Sequence, residues 1–229
     1  MSEKLVIFDC DGVLIDGEPI VNKIFTGVLV GYGYAITEDE CIRRFTGLNE
    51  HDCRKIIMQE LGISIPETYW EELKPVVFDA FRKGLPGLQH SLLAELMGNN
   101  IARCVASNSS IAYLHEVLEL SNQRKYFADD AIFSAEQVAK PKPAPDLFLH
   151  AASTMGYTPE QCIVVEDSAT GAKAALAAGM QVLLFVGATH ARNDWYQKNL
   201  AVYNKPMCTS SEELALCIQS FIEAIETRK

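Results

Sequence analysis

Lys4-Leu5-Val6-Ile7-Phe8-Asp9-Cys10-Asp11-Gly12-Val13-Leu14-Ile15-Asp16 is the stretch on which the fold turns. Residues 4–8 form an apolar run without strict alternation, the pattern of a strand covered on both faces in a parallel sheet. The run then gives way to two aspartates, two residues apart, and a glycine. Runs of the same character recur at residues 101–106, 162–165 and 181–186, with a weaker fifth at 131–133. Long helical stretches separate them, as parallel strands require. The predicted class is α/β, a doubly wound parallel sheet.

Residues 9–100 lie between the first strand and the second. That is too long for a single crossover helix, and the stretch reads as helices at 19–32, 38–45, 50–61 and 67–83. A helical insert domain at residues 17–84 follows, leaving residues 1–16 and 85–229 as the core. Its exits carry glycine and proline, at Gly12 to Gly17 and at Gly84-Leu85-Pro86-Gly87, which suits a defined bend between two rigid bodies. Near the C-terminus, residues 211–227 start at a serine followed by Glu212 and Glu213. Leu214, Cys217, Ile218, Phe221 and Ile225 keep helical spacing there, so a packing helix is expected.

Composition narrows the function classes. The chain has 229 residues, 48% of them hydrophobic, so a sizeable core is available. The formal net charge is −10, and the chain has no basic stripe of the kind that nucleic-acid binders show. No apolar run reaches membrane-spanning length, and the N-terminus lacks the features of a signal peptide, so a soluble, cytoplasmic protein is expected. The seven cysteines are odd in number, scattered and without a CxxC pair. They are expected to be reduced, buried thiols rather than a disulfide framework or a zinc site. The five histidines form no metal-like cluster.

The chemistry gathers where strands end. In open α/β sheets, ligands bind beyond the carboxyl ends of the strands. The first run ends in Asp9-Cys10-Asp11-Gly12, the second in Ser107-Asn108, and the run at 162–165 in Glu166-Asp167-Ser168. Along an extended chain, Asp9 and Asp11 would point to the same side. Two carboxylates that close stay ionised together only beside a cation. Magnesium, with its preference for hard oxygens, suits Asp9 and Asp167 as ligands. A carboxylate is also a nucleophile toward phosphorus, and a second carboxyl can protonate the leaving alkoxide. Asp9 would then attack while Asp11 donates a proton and later activates water. A lone Asp-x-Asp is equally a helix-capping pattern; its company at the other strand ends is what favours chemistry.

Ser107 and Asn108 stand before a predicted helix, where a hydroxyl and backbone N–H groups make a phosphate site, although an N-cap serine looks the same. Lys142, between Pro141 and Pro143, is held in a defined direction. Its ammonium would balance charge on phosphoryl oxygens, and the alternative is an ordinary surface lysine. Glu166 is expected to support the metal site from behind or through water.

These residues resemble the haloacid dehalogenase superfamily, in its phosphatase branch with a helical cap, the group of β-phosphoglucomutase and sugar-phosphate phosphatases. The resemblance is carried by Asp9-Cys10-Asp11-Gly12-Val13-Leu14-Ile15-Asp16, Ser107-Asn108, Lys142-Pro143-Ala144-Pro145-Asp146 and Glu166-Asp167-Ser168-Ala169-Thr170-Gly171, in family order. It implies Asp9 as nucleophile and Mg2+ ligand, and Asp11 as acid and base with its backbone carbonyl on the metal. It further implies Ser107 and Asn108 as phosphoryl holders, Lys142 as the bridge between nucleophile and phosphate, and Asp167 as a further metal ligand. It implies a cap that closes over the cleft, with substrate choice in the segment from Arg43 to His51. There Arg43 or Arg44 would read a second anionic group, or both are solvated, and Gly47 and Asn49 flank the approach. Asp11 argues against dehalogenation. Val21 stands where mutases carry a cap-hinge histidine, which favours hydrolysis over mutation. A phosphonatase would need an imine-forming cap lysine, and neither Lys23 nor Lys55 is singled out; a silent binding protein is the remaining alternative. The expected partner is a small phosphorylated metabolite, without nucleic acid or membrane, for a monomer or weak dimer.

Overall fold

In the computed structural model, described here for residues 3–45, 50–62, 66 and 68–224, the first strand, β1 (Leu5–Phe8), lies at the centre of a six-stranded sheet. The other strands are β2 (Ala102–Ser107), β3 (Ile132–Ser134), β4 (Cys162–Glu166), β5 (Gln181–Phe185) and β6 (Met207–Cys208). Their order is β3-β2-β1-β4-β5-β6, and all five pairings are parallel. From β1 the chain moves outward through β2 and β3, then crosses back to β4 on the other side of β1 and moves outward through β5 and β6. The edge of the sheet beside β1 is therefore a switch point, where strand ends diverge and leave a crevice.

The chain divides into two compact units, residues 17–85 and the remainder. Unit 17–85 holds four helices, α1 (Glu18–Gly31), α2 (Glu38–Phe45), α3 (Glu50–Leu61) and α4 (Tyr69–Gly84). Phe25, Leu29, Cys41, Phe45, Cys53, Ile57, Tyr69 and Leu73 close its apolar core. Pro75 sits inside α4. At the surface of this unit Arg44 pairs with Glu60, and the Tyr34 hydroxyl donates to Glu60 at 2.6 Å.

The sheet unit carries α5 (His90–Gly98), α6 (Ile111–Leu120), α7 (Asp146–Met155), α8 (Ala169–Ala177), α9 (Asp194–Ala201) and α10 (Ser211–Glu223). Leu5 and Ile7 of β1 pack with Leu147, Phe148, Ala151 and Ala152 of α7 and with Ala172, Ala174 and Ala175 of α8. Small residues on α8 let that helix lie close to the sheet. Strand geometry turns Val6 and Phe8 to the opposite face, and both are fully buried. Two-sided burial explains why the strands read as continuous apolar runs.

The structure adds β6, a two-residue strand at the edge that the sequence pattern did not show, and several short 3-10 turns. The fourth helix begins at Tyr69 rather than at residue 67, and the last helix is described as far as Glu223. Among the described residues, no helix is long and apolar enough to cross a membrane. All seven cysteines are free thiols, six of them buried.

Candidate active site

β1 stops at Phe8 and the chain turns at once. The N–H groups of Leu14 and Ile15 donate to the Cys10 carbonyl, and the Gly12 N–H donates to the Ile15 carbonyl. Gly12 has φ +78°, and a Cβ built there would lie 2.0 Å from Asp167 Oδ2. Glycine is needed twice over, for the left-handed backbone and for the close approach of the β4 end. The strand ends before either residue, and the two carboxylates take different hydrogen-bond partners, although Asp11 is close enough to push the pKa of Asp9 upward.

Asp9 meets Lys142. The Lys142 Nζ donates to Asp9 Oδ1 at 2.7 Å and to Glu166 Oε1 at 2.6 Å. Lys142 is only 6% exposed, which overturns the alternative of a surface lysine. Its aliphatic stem and ammonium also lie against Phe148, with Nζ 4.5 Å from the ring centroid. Asn108 straps the lysine in place from β2. Its Nδ2 donates to the Lys142 carbonyl at 3.1 Å, and its Oδ1 accepts the Lys142 N–H at 3.0 Å. Burial alone would lower the ammonium pKa, but the Asp9 and Glu166 carboxylates outweigh it and raise the pKa, so the lysine is charged.

Glu166 is the anchor of this arrangement. Its second oxygen, Oε2, accepts from the Asp167 N–H at 3.1 Å, the Ser168 N–H at 3.0 Å and Ser168 Oγ at 2.8 Å. Ser168 is at the same time the N-cap of α8, its Oγ accepting the Gly171 N–H at 3.0 Å. A Cβ at Gly171 would fall 1.7 Å from Glu166 Oε1, so the motif's glycine makes room for the glutamate.

Asp167, next along, lies with Oδ2 2.8 Å from His190 Nε2. His190 is buried, on the turn that follows β5, with its ring edge-on to Tyr196. Asp16 ties the β1 loop to that same turn, accepting on Oδ2 from the Thr189 N–H at 3.1 Å and the Thr189 hydroxyl at 2.6 Å.

Among the described residues, Asp9, Glu166 and Asp167 form the one acidic group whose ligand atoms all lie within 4.8 Å of one another. The Asp11 carboxylate stands outside it. Tyr113 donates to Asp11 Oδ1 at 2.7 Å and Ser109 to Oδ2 at 3.1 Å. Burial pushes the pKa of Asp9 well above the usual carboxylate range; Lys142 pulls it down, and Glu166, Asp167 and Asp11 push it further up. Burial likewise raises Asp167, against the pull of His190, and raises Asp11, against the pull of its two donors. Four carboxylates face Lys142 and the His190 ring, and that excess of acid, with an all-oxygen donor set, fits a hard divalent cation. Asp9, Glu166 and Asp167 are the residues placed to hold one, and the Glu166 carboxylate is the most heavily hydrogen-bonded of the three.

Ser107 is buried at the end of β2, and its Oγ accepts the Ser109 N–H at 3.2 Å. The N-cap of α6 is Ser110, not Ser107, which removes the capping alternative for Ser107. Arg43 and Arg44 belong to the other unit. Arg44 is committed to Glu60 and Tyr34, whereas Arg43 is exposed. Gly47 and Asn49 lie outside the described residues. Ser109, Tyr113 and His190 were missed by the sequence reading. His190 was readable in principle, because β5 is another parallel strand whose end opens on the same edge.

A family model for haloacid dehalogenase-like hydrolases matches residues 3–179. The chain belongs to that family and is a hydrolase. Among its relatives is the 6-phosphogluconate phosphatase of Escherichia coli, 30% identical over 82% of this chain and 84% of the relative. Another is a phosphorylated carbohydrates phosphatase of Thermotoga maritima, 32% identical over 83% of this chain and 88% of that one. Among solved structures, a haloacid dehalogenase-like protein of unknown function from Agrobacterium tumefaciens superposes with a TM-score of 0.83 at 30% identity, over 95% of this chain and 98% of the other. A candidate β-phosphoglucomutase from T. maritima superposes at 0.77 with 28% identity, over 95% and 99%.

Proposed function

We propose that the protein hydrolyses small phosphomonoesters, sugar phosphates or phosphorylated sugar acids, through a phosphoryl-aspartate on Asp9 with Mg2+ as cofactor. The observation that carries the reading is the buried Asp9 carboxylate, held on Oδ1 by Lys142 beside Asp167 and two residues before a second acid. The two phosphatases among the relatives favour carbohydrate phosphates as the substrate class.

In the first step an Asp9 oxygen attacks phosphorus and the ester P–O bond breaks. The electron pair leaves on the ester oxygen, which takes the proton of the Asp11 carboxyl. In the second step the Asp11 carboxylate removes a proton from water as the water oxygen attacks phosphorus. The Asp9–phosphorus link breaks, phosphate departs, and both aspartates return to their starting states. Lys142 fixes the Asp9 rotamer and places positive charge beside the phosphoryl oxygens. Ser107 and the backbone N–H groups after β2 hold those oxygens. Asn108 acts through its strap on Lys142. Asp9 and Asp167 would hold the Mg2+, which would supply charge that lets these carboxylates stay ionised together and offsets the phosphoryl group.

A mutase would return the phosphoryl group to another hydroxyl, and Val21 offers no side chain that carries a proton. Lys23 and Lys55 are both exposed in unit 17–85, unlike the desolvated lysine that imine chemistry needs. The test is phosphate release from a panel of metabolite phosphates with Mg2+ present. One phosphate per ester consumed is expected, and isomerised ester without free phosphate would instead favour a mutase. Asp9→Asn keeps shape and removes the nucleophile, so turnover should vanish while the circular dichroism spectrum stays unchanged. Substantial residual turnover in that variant would refute the covalent route.

A further inference from the structure

The carboxylate of Asp11 is held from a different element. One donor reaches each oxygen, Tyr113 Oη on Oδ1 at 2.7 Å and Ser109 Oγ on Oδ2 at 3.1 Å. A carboxylate turns about two torsions, and a donor on each oxygen fixes both. Tyr113 is itself well anchored. It sits in the first turn of α6, and its N–H is capped by Ser110 Oγ at 3.3 Å. The phenol is half-buried, and its hydroxyl is aimed at an acid of the site rather than left to solvent. The contact from Tyr113 is the shorter of the two and the stronger.

We propose that Tyr113 is a positioning residue for the general acid, holding Asp11 in the orientation from which it protonates the leaving oxygen. The inference rests on the reading of Asp11 as that acid. In the transfer step Tyr113 neither gains nor loses a proton. The proton leaves Asp11 for the ester oxygen as the P–O bond breaks, and Asp11 becomes a carboxylate. The hydrogen bond from Tyr113 to Oδ1 strengthens as that charge appears, because bonds to an ionised acceptor are stronger than bonds to a neutral one. Tyr113 therefore stabilises the transition state more than the ground state. Its contribution scales with how much protonation the leaving group needs.

That scaling supplies the test. Phenyl phosphate, 4-nitrophenyl phosphate and 2,4-dinitrophenyl phosphate form a series in which the leaving oxygen needs a proton less and less. Tyr113→Phe removes only the hydroxyl. Its kcat/KM on phenyl phosphate should fall about tenfold, the scale of one hydrogen bond to a charged group, with a much smaller loss on 2,4-dinitrophenyl phosphate. Ser109→Ala should steepen the series in the same sense and by less. Asp11→Asn is the control for the underlying reading and should give the steepest series of all. A uniform loss across the three esters in Tyr113→Phe, or no loss on any, overturns the role of Tyr113. If Asp11→Asn itself falls equally on all three, the assignment of the acid fails instead. Tyr113→Met keeps bulk without a hydroxyl and repeats the measurement if the phenylalanine variant melts early.

Discussion

At the scale of single residues, Lys142 is the cation of the described site, and its two bonds divide its work. The bond to Asp9 holds the proposed nucleophile, and the bond to Glu166 pairs a buried carboxylate that also accepts from the start of α8. Replacing it by methionine keeps length and removes the charge. Two buried carboxylates then face each other unpaired, a change that costs about 3–5 kcal/mol when one partner of a buried pair is lost. Lys142→Met should therefore melt earlier in urea and lose about 100-fold or more in phosphate release, the scale of removing a charged donor from a transition state. Unchanged urea stability in the variant would show that Glu166 is neutral or otherwise paired. Lys142 could be singled out in the sequence because Pro141, Pro143 and Pro145 advertise a stiff loop. Tyr113 could not: it reaches Asp11 across 102 residues of chain, and a tyrosine in a first helical turn carries no signal of its target. His190 was set aside with four other histidines because its partner, Asp167, comes from another strand.

At the scale of elements, the start of α8 shows how secondary structure and chemistry share atoms. Ser168 Oγ accepts from Gly171 and donates to Glu166. A cap is worth about 0.5–2 kcal/mol, and Ser168→Ala removes that together with one donor to the anchor of Lys142. The expected result is a destabilisation of about 1 kcal/mol in urea melts, with a fall in kcat larger than that loss of folding stability would produce at saturating substrate. A variant that melts earlier with kcat intact would confine Ser168 to capping. The central strands were legible because burial on both faces keeps β1 and nearly all of β4 apolar, and even β2 is interrupted only at Arg103 before its last residue. The edge strand β6 was not, because two residues, Met207 and Cys208, carry no periodicity. The strand-end rule brought Asp9, Ser107 and Asp167 to one edge. Asp11 lies at that edge as well, but the sequence carried no sign of the donors after β2 and in α6, Ser109 and Tyr113, that hold its carboxylate.

At the scale of the whole molecule, the crowding of buried carboxylates fixes the sign of a pH dependence. Burial raises the folded pKa of Asp9, Asp11 and Asp167 above the unfolded value, which is about 4 for aspartate. Between the unfolded and folded values the native state binds more protons than the unfolded chain, so stability falls as pH rises through that window. Lys142 has a raised pKa, and its contribution is constant there because it is lost only as pH climbs beyond the ordinary lysine range. Metal-free protein in chelator should therefore melt at progressively lower temperature as pH rises above the unfolded aspartate value of about 4. The proposed cation on Asp9 and Asp167 would displace those protons, so its stabilisation should grow with pH. At a concentration one hundred times its Kd it adds about 2.7 kcal/mol. Thermal melts with Mg2+ should run flatter across the same range than melts in chelator. Asp9→Asn removes one of the crowded charges together with one ligand. It should melt above the wild-type protein in chelator at the upper end of the range and respond little to Mg2+. If the wild-type metal-free melting temperature instead rises with pH, the pairing with Lys142 outweighs desolvation, the carboxylates are ionised without a cation, and the case for a site that needs Mg2+ for its charge balance fails.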